Sequence, residues 1–182
     1  MKNQYTGILL CGGKSSRMGR DKYALPYNNQ PMYMPALNIL NSCCSETLIS
    51  SNVFYPEFEN YKIITDEIPN IGPMGGIYTC IKVSKNPYNL VLACDMPLVT
   101  GRLMSKLLEI ENDFDAYIPV LNEQIEPLYA IYNKSILPIL ENKIKSNEYS
   151  LFKMLKQLNV CYVQVSMDEY ELKNINFPTE LV

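Results

Sequence analysis

Apolar residues occur along this chain in short bursts, most too brief for a helix and bounded by turn-forming residues. Thr6–Cys11 (TGILLC) is such a run; it ends on Gly12 and Gly13 and reads as a strand buried on both faces. Glu46–Ser50 (ETLIS), Tyr61–Thr65 (YKIIT) and Asn89–Cys94 (NLVLAC) read the same way, the last being the clearest strand of the chain. Ala116–Val120 and Glu126–Tyr132 predict two strands on either side of the polar turn LNEQ, and Val160–Val165 predicts a final one. Between these runs the spacing turns helical. Met32–Leu40 carries apolar residues at helical intervals, with Pro35 in its first turn. IGPMGG at Ile71–Gly76 interrupts the pattern ahead of a helix-like run at Ile77–Val83. Thr100 predicts the N-cap of a helix that reaches Ile110, and Ser135 and Ser150 each open a further helical segment.

Strands alternating with helices predict an α/β fold with a mainly parallel sheet and helices on both faces. No repeat, low-complexity tract or linker divides the sequence, so one domain is expected over residues 1–182. In sheets of this kind ligands bind beyond the carboxyl ends of the strands. Gly12, Asp66 and Asp95 come from three separate stretches, and each falls at such an end.

Composition narrows the chemistry. The net charge is −3, so any anion site has to be local, and neither nucleic acid nor an anionic membrane is an expected partner. No apolar stretch approaches the roughly 20 residues that cross a bilayer, and the polar start MKNQYTG lacks the apolar core of a secretory signal. There is no histidine, which rules out Ser-His and Cys-His catalytic pairs and His-ligated metals. The six cysteines form no CxxC pair, so a cysteine zinc site is not expected. Cys11, Cys80 and Cys94 lie inside apolar runs and are expected to pack as small hydrophobes, with the protein reduced and cytoplasmic.

Local charge is concentrated in one place. LLCGGKSSRMGRDK, Leu9–Lys22, puts two glycines after an apolar run and then Lys14, Arg17, Arg20 and Lys22. Glycine lets backbone N–H groups approach an anion with no Cβ in the way, and the cations offset polyphosphate charge. Neither GxxxxGK[ST] nor GxGxxG is present, and by itself the stretch also suits a tight turn followed by solvated cations. Asp95 adds weight. A carboxylate directly after a buried strand and before Met96-Pro97, on the same expected edge as the glycines, suits Mg2+, which takes hard oxygen ligands from carboxylates and phosphates.

With these residues in view the chain resembles the molybdenum cofactor guanylyltransferases. LLCGGKSSRMGRDKYAL is similar to their loop of the form LAGGxSxRMGxDKxxL, with Cys11 in place of the usual Ala. Asp66 at a strand end, GPMGG, CDMP at Cys94–Pro97, EPLYAIYN at Glu126–Asn133 and NINFP at Asn174–Pro178 follow in the same order. NINFPTEL departs from the commoner NINTPEEL, and Ser50 stands where the family can have an Asn near the nucleotide, so no contact is carried over to Ser50.

The resemblance implies a Rossmann-like nucleotidyltransferase fold and Mg2+-dependent transfer of GMP from GTP to the terminal phosphate of molybdenum-bound molybdopterin. It implies that Leu10, Cys11, Gly12 and Gly13 present backbone to the nucleotide and that Arg17 and Lys22 neutralise the leaving pyrophosphate. It also implies that Asp66 contacts the nucleotide, that Asp95 holds the metal, and that Asn174 and Asn176 meet the pterin phosphate or metal. Pro73, Gly75 and Gly76 would wall the nucleotide pocket as a loop. Transient contact with cofactor-biosynthesis proteins or acceptor molybdoenzymes is implied as well. A cytidylyl or sugar-phosphate relative and a non-catalytic cofactor-binding module are the competing expectations. Tyr129 and Tyr132, in a β run, are expected to pack rather than stack on a pterin.

Overall fold

The apolar bursts form the strands of one sheet in a computed structural model that describes residues 4–12, 26–110 and 113–166. The elements are β1 (Tyr5–Leu10), β2 (Pro26–Tyr27), β3 (Gln30–Pro31), α1 (Met34–Cys43), β4 (Glu46–Ser50), β5 (Lys62–Ile64), α2 (Pro73–Val83) and β6 (Tyr88–Ala93). Then come α3 (Gly101–Leu108), β7 (Ala116–Leu121), β8 (Gln124–Ile125), β9 (Tyr129–Asn133), α4 (Leu137–Lys145), α5 (Leu151–Leu155) and β10 (Val160–Gln164). The sheet runs β5-β4-β1-β6-β9-β7-β10, with β8 paired to β7, while β2 and β3 form a separate hairpin. β1, β4, β5 and β6 pair in parallel, as do β7 and β10. β9 lies antiparallel between β6 and β7.

Successive residues of the central strands feed opposite faces, as the two-residue period of a strand requires. Leu9, Leu90, Leu92, Tyr129 and Ile131 pack with α1 and α3, while Ile8, Leu10, Val91, Ala130 and Tyr132 pack with α2, α4 and α5. Helices therefore cover both faces. α1 sits close because β1 carries Gly7, where a Cβ would lie 2.9 Å from Leu40 Cβ.

Several expected boundaries move. The polar turn LNEQ does not simply link two long strands: Asn122 and Glu123, with φ 49° and 65°, close a tight hairpin between β7 and β8. β9 begins at Tyr129, and Glu126–Leu128 precede it as a turn. The side chain capping the segment before α4 belongs to Asn133, which accepts from Ser135 N, whereas Ser135 Oγ donates to Asp115 at 3.1 Å. Thr100 and Ser150 cap α3 and α5 as their sequence positions predict. Among the described residues no helix is long and apolar enough to cross a membrane.

α4 is tied to α5 by charge. Lys143, only 7% exposed, bonds to Glu148, and Lys153 Nζ donates to the other carboxylate oxygen at 2.9 Å. Hydrogen bonds from Lys143 and then Lys153 lower the Glu148 pKa to about 2. The folded-state value lies below the ordinary one of roughly 4.3, so the ion pairs contribute stability above that pH and lose it as pH falls toward 2. Glu148→Gln is expected to be less stable than the parent at neutral pH, with the difference narrowing as pH falls through that window. Thermal melts across the acid range read this directly, and a gap that persists to the acid end contradicts it.

Candidate functional site

The strand order reverses beside β1: the chain steps outward through β4 and β5, then returns to place β6 on the other side. Such a reversal opens a crevice at the carboxyl edge of the sheet. Three strand ends are joined there by backbone hydrogen bonds. Cys11 N donates to Ser50 O at 2.9 Å, and Cys94 N donates to Leu10 O at 3.1 Å. Leu10 and Cys11 are buried, and Gly12 is the first exposed residue. Among the described residues, chain neighbours aside, no heavy atom lies within 4 Å of the place a Cβ on Gly12 would take. Asp95, half-buried, is the first residue past Cys94. Gly12 and Asp95 thus leave the sheet from hydrogen-bonded neighbours, on one edge.

The neighbouring Cys94 thiol and then burial, with Asp95 adding a smaller push, hold the Cys11 thiol well above its usual pKa. Burial, reinforced by Asp66, likewise pushes the Cys80 thiol up to about 12. At neutral pH Cys11 and Cys80 are therefore protonated packing groups, as their apolar setting in the sequence predicts. All six cysteines are free.

Asp66 arrives at the same edge from β5. Its carboxylate accepts from Ser50 Oγ at 3.4 Å and from Asn52 Nδ2 at 3.2 Å, and its N–H donates to Asn52 Oδ1 at 3.0 Å. Asn52 is a residue that sequence reasoning passes over. Its only sequence signal is the polar SSN directly after β4, and nothing local says that it would reach across to β5. Ser50 is 2% exposed and lies between Asp66 and α2.

Pro73, Gly75 and Gly76, expected as a loop, lie inside the first turns of α2. Proline suits the first helical position, where no N–H is needed. Gly76 is there for closeness: a Cβ would fall 2.3 Å from Ser50 Oγ and 3.1 Å from Leu10 Cδ2. Two glycines lower helix propensity and so mask the helix start in the sequence, whereas in the fold they let the helix lie against the strand ends. The amino end of α2 carries the positive end of its dipole, which suits an anionic ligand.

On the far side of β6 the turn before β9 meets the same edge. Ala93 N donates to Leu128 O at 3.1 Å, and Leu128 N donates to Glu126 Oε1 at 3.0 Å. Burial raises the Glu126 pKa; the Leu128 amide opposes this, and the charge of Asp95 adds to it. Tyr129 and Tyr132 are fully buried, their hydroxyls donating to Thr100 O at 3.0 Å and Pro127 O at 2.8 Å. They are core residues, as expected. Glu126 opens the motif EPLYAIYN, yet the sequence assigns it no role.

Of the expected site residues, Leu10, Cys11, Gly12, Asp66 and Asp95 share this edge. Gly13, Arg17, Lys22, Asn174 and Asn176, together with Lys14 and Arg20, lie outside the described residues. Asp95 carries the hard oxygen donors that suit Mg2+, although no group of three or more Cys, Asp or Glu residues able to hold a metal occurs among the described residues.

Residues 7–161 match the family model of the MobA-like NTP transferase domain. A protein of Flavobacterium johnsoniae named probable molybdenum cofactor guanylyltransferase is 32% identical over 180 residues, which cover 97% of this chain and 94% of that protein. One of the same name from Clostridium perfringens is 37% identical over 161 residues, covering 87% of this chain and 81% of that protein. Among solved structures, molybdopterin-guanine dinucleotide biosynthesis protein A from Archaeoglobus fulgidus superposes with a TM-score of 0.82 at 23% identity, over 97% of this chain and 94% of that one. A likeness at that identity establishes a shared fold.

The contact between Gly76 and Ser50 is open to a direct test. Gly76→Ala is expected to destabilise the protein by about 1–3 kcal/mol through overpacking, more than the ~1 kcal/mol that alanine adds to a helix. In a Ser50→Ala background the hydroxyl is gone and at least half of that loss should return. Urea unfolding of the four proteins in the cycle measures it; equal losses in both backgrounds would place the strain elsewhere.

Proposed function

The chain belongs to the MobA-like NTP transferase family, and on that premise we propose that it transfers GMP from GTP to the terminal phosphate of molybdenum-bound molybdopterin, releasing pyrophosphate. A phosphate oxygen of the acceptor forms a bond to the α-phosphorus of GTP, and the bond from that phosphorus to the bridging oxygen of the β-phosphate breaks. The electron pair leaves with pyrophosphate. The acceptor phosphate is largely dianionic at neutral pH, with a second pKa near 6, so no side chain has to remove a proton from it. A chain without histidine is well suited to such a step.

The observation that carries this reading is the backbone hydrogen bond from Cys94 N to Leu10 O, which sets Gly12 and Asp95 side by side at the strand reversal. In the proposed arrangement Leu10, Cys11, Gly12 and Gly13 offer backbone groups to the nucleotide, and Asp66, held by Ser50 and Asn52, contacts it. Arg17 and Lys22 neutralise the departing pyrophosphate, while Asn174 and Asn176 meet the acceptor phosphate or the metal. Asp95 would hold Mg2+, whose chemistry when bound is to withdraw negative charge from the phosphate oxygens. Apart from this charge neutralisation by the metal, Arg17 and Lys22, the contributions are positional: two polyanions are held in line and water is kept from competing for the α-phosphorus. We place the reaction in the cytoplasm, where free thiols such as these stay reduced.

Pyrophosphate release with molybdenum-molybdopterin, Mg2+ and each nucleoside triphosphate in turn tests the reading. GTP should support release and CTP should not. Asp95→Asn, close in shape to the parent, should keep its melting temperature and lose about 100-fold or more in turnover. Preference for CTP would reassign the base, and a folded Asp95→Asn enzyme of near-parental rate would remove the metal assignment.

A further inference from the structure

Asp95 sits in a segment with no regular structure between β6 and α3, so its position depends on how the ends of that segment are held. On one side Cys94 N is bonded to Leu10 O in β1. On the other, Ala93 N is bonded to Leu128 O, and at the far end Thr100 O accepts from the buried hydroxyl of Tyr129. Two of these three ties come from the segment that Glu126 opens.

Glu126 is engaged at every polar group of its backbone. Its N–H donates to Pro119 O at 3.1 Å, and its carbonyl accepts from Tyr129 N at 3.3 Å. Its side-chain Oε1 accepts from Leu128 N at 3.0 Å, and the intervening Pro127 carbonyl accepts from Tyr132 Oη at 2.8 Å. The side chain thereby closes a small ring over Pro127 and aims the Leu128 carbonyl at Ala93 N. We propose that Glu126 is a positioning residue for Asp95: its carboxylate fixes the turn whose Leu128 carbonyl holds the end of β6, and so sets where the Asp95 side chain stands.

The carboxylate is half-buried and near enough to Asp95 to feel its charge. A half-buried acid beside a second acid is a costly choice for packing alone, since apolar residues of the same length fill the space without the repulsion. What the acid supplies is an acceptor at the end of a long side chain. Glutamine has the same acceptor in the same place. Alanine and methionine do not.

The positioning role rests on the metal-binding reading of Asp95, and its test separates the two. Glu126→Gln should retain kcat within about threefold of the parent, whereas Glu126→Ala should lose about 10- to 100-fold in kcat with little change in the KM for GTP. Glu126→Met, similar in length but without an acceptor, replaces the alanine variant if that one does not fold. Amide hydrogen exchange at Ala93 in the protein without ligands should quicken by about tenfold or more in the alanine variant and stay near parental in the glutamine variant. A folded alanine or methionine variant with parental kcat overturns the proposal, and so does a glutamine variant as slow as alanine. If the parent releases no pyrophosphate from GTP, the guanylyl reading fails, while unchanged exchange at Ala93 would overturn the positioning role independently.

Discussion

The parallel ladder between β1 and β6 is the constraint on which the site depends. It runs from Tyr5 opposite Tyr88 to Leu10 opposite Ala93 and is continued by the bond from Cys94 N to Leu10 O. Both strands are covered on both faces: Leu9, Leu90 and Leu92 enter one core, and Ile8, Leu10 and Val91 the other. A slip of one residue would exchange those two sets, sending Leu9 to the face of Ile8 and Leu10. Register is therefore enforced by the whole core. The core, in turn, delivers Gly12 and Asp95 to the same height at the edge.

The antiparallel strand β9 adds a second consequence of topology. Parallel strands all end at one edge, so β1, β4, β5 and β6 contribute the residues that follow them: Gly12, Asn52, Asp66 and Asp95. A strand running the other way begins at that edge. β9 starts at Tyr129 opposite Leu92, which puts the turn at Glu126–Leu128 against the end of β6. One reversed strand thus brings a stretch from the later half of the sequence to the segment that carries Asp95, and the buried Tyr129 hydroxyl ties the two together at Thr100 O.

Much of this arrangement is legible in the amino-acid sequence. Short apolar runs ending in glycine or aspartate identify β1, β5 and β6, and the edge shared by Gly12, Asp66 and Asp95 follows from the alternation of strands and helices. The start of α2 is not legible, because its glycines answer to Ser50 and Leu10, which lie far away in sequence. The direction of β9 is hidden for a related reason. An apolar run has the same composition whichever way it points, and the choice is made by pairing with β6 and β7. Asn52 and Glu126 carry no sequence signal of their roles, because each acts through hydrogen bonds to a partner that only the fold brings into place.

Under the proposed function, charge accounts for the gathering of cations after the glycines in the sequence. The described part of the edge contributes carboxylates at Asp66, Asp95 and Glu126, and the chain as a whole carries −3. A triphosphate approaching such an edge meets repulsion that grows as water is excluded and the effective dielectric falls. The amino end of α2 and open backbone amides offset part of it, since partial charges at a helix start favour anions. Under the proposed function the remainder would call for full positive charge, from side chains and from a divalent cation held by Asp95. Lys14, Arg17, Arg20 and Lys22 directly follow the glycines that end β1. In the sequence only a few residues separate these cations from the acidic edge, so under the proposed function their crowding is what an acidic edge binding a polyanion would require.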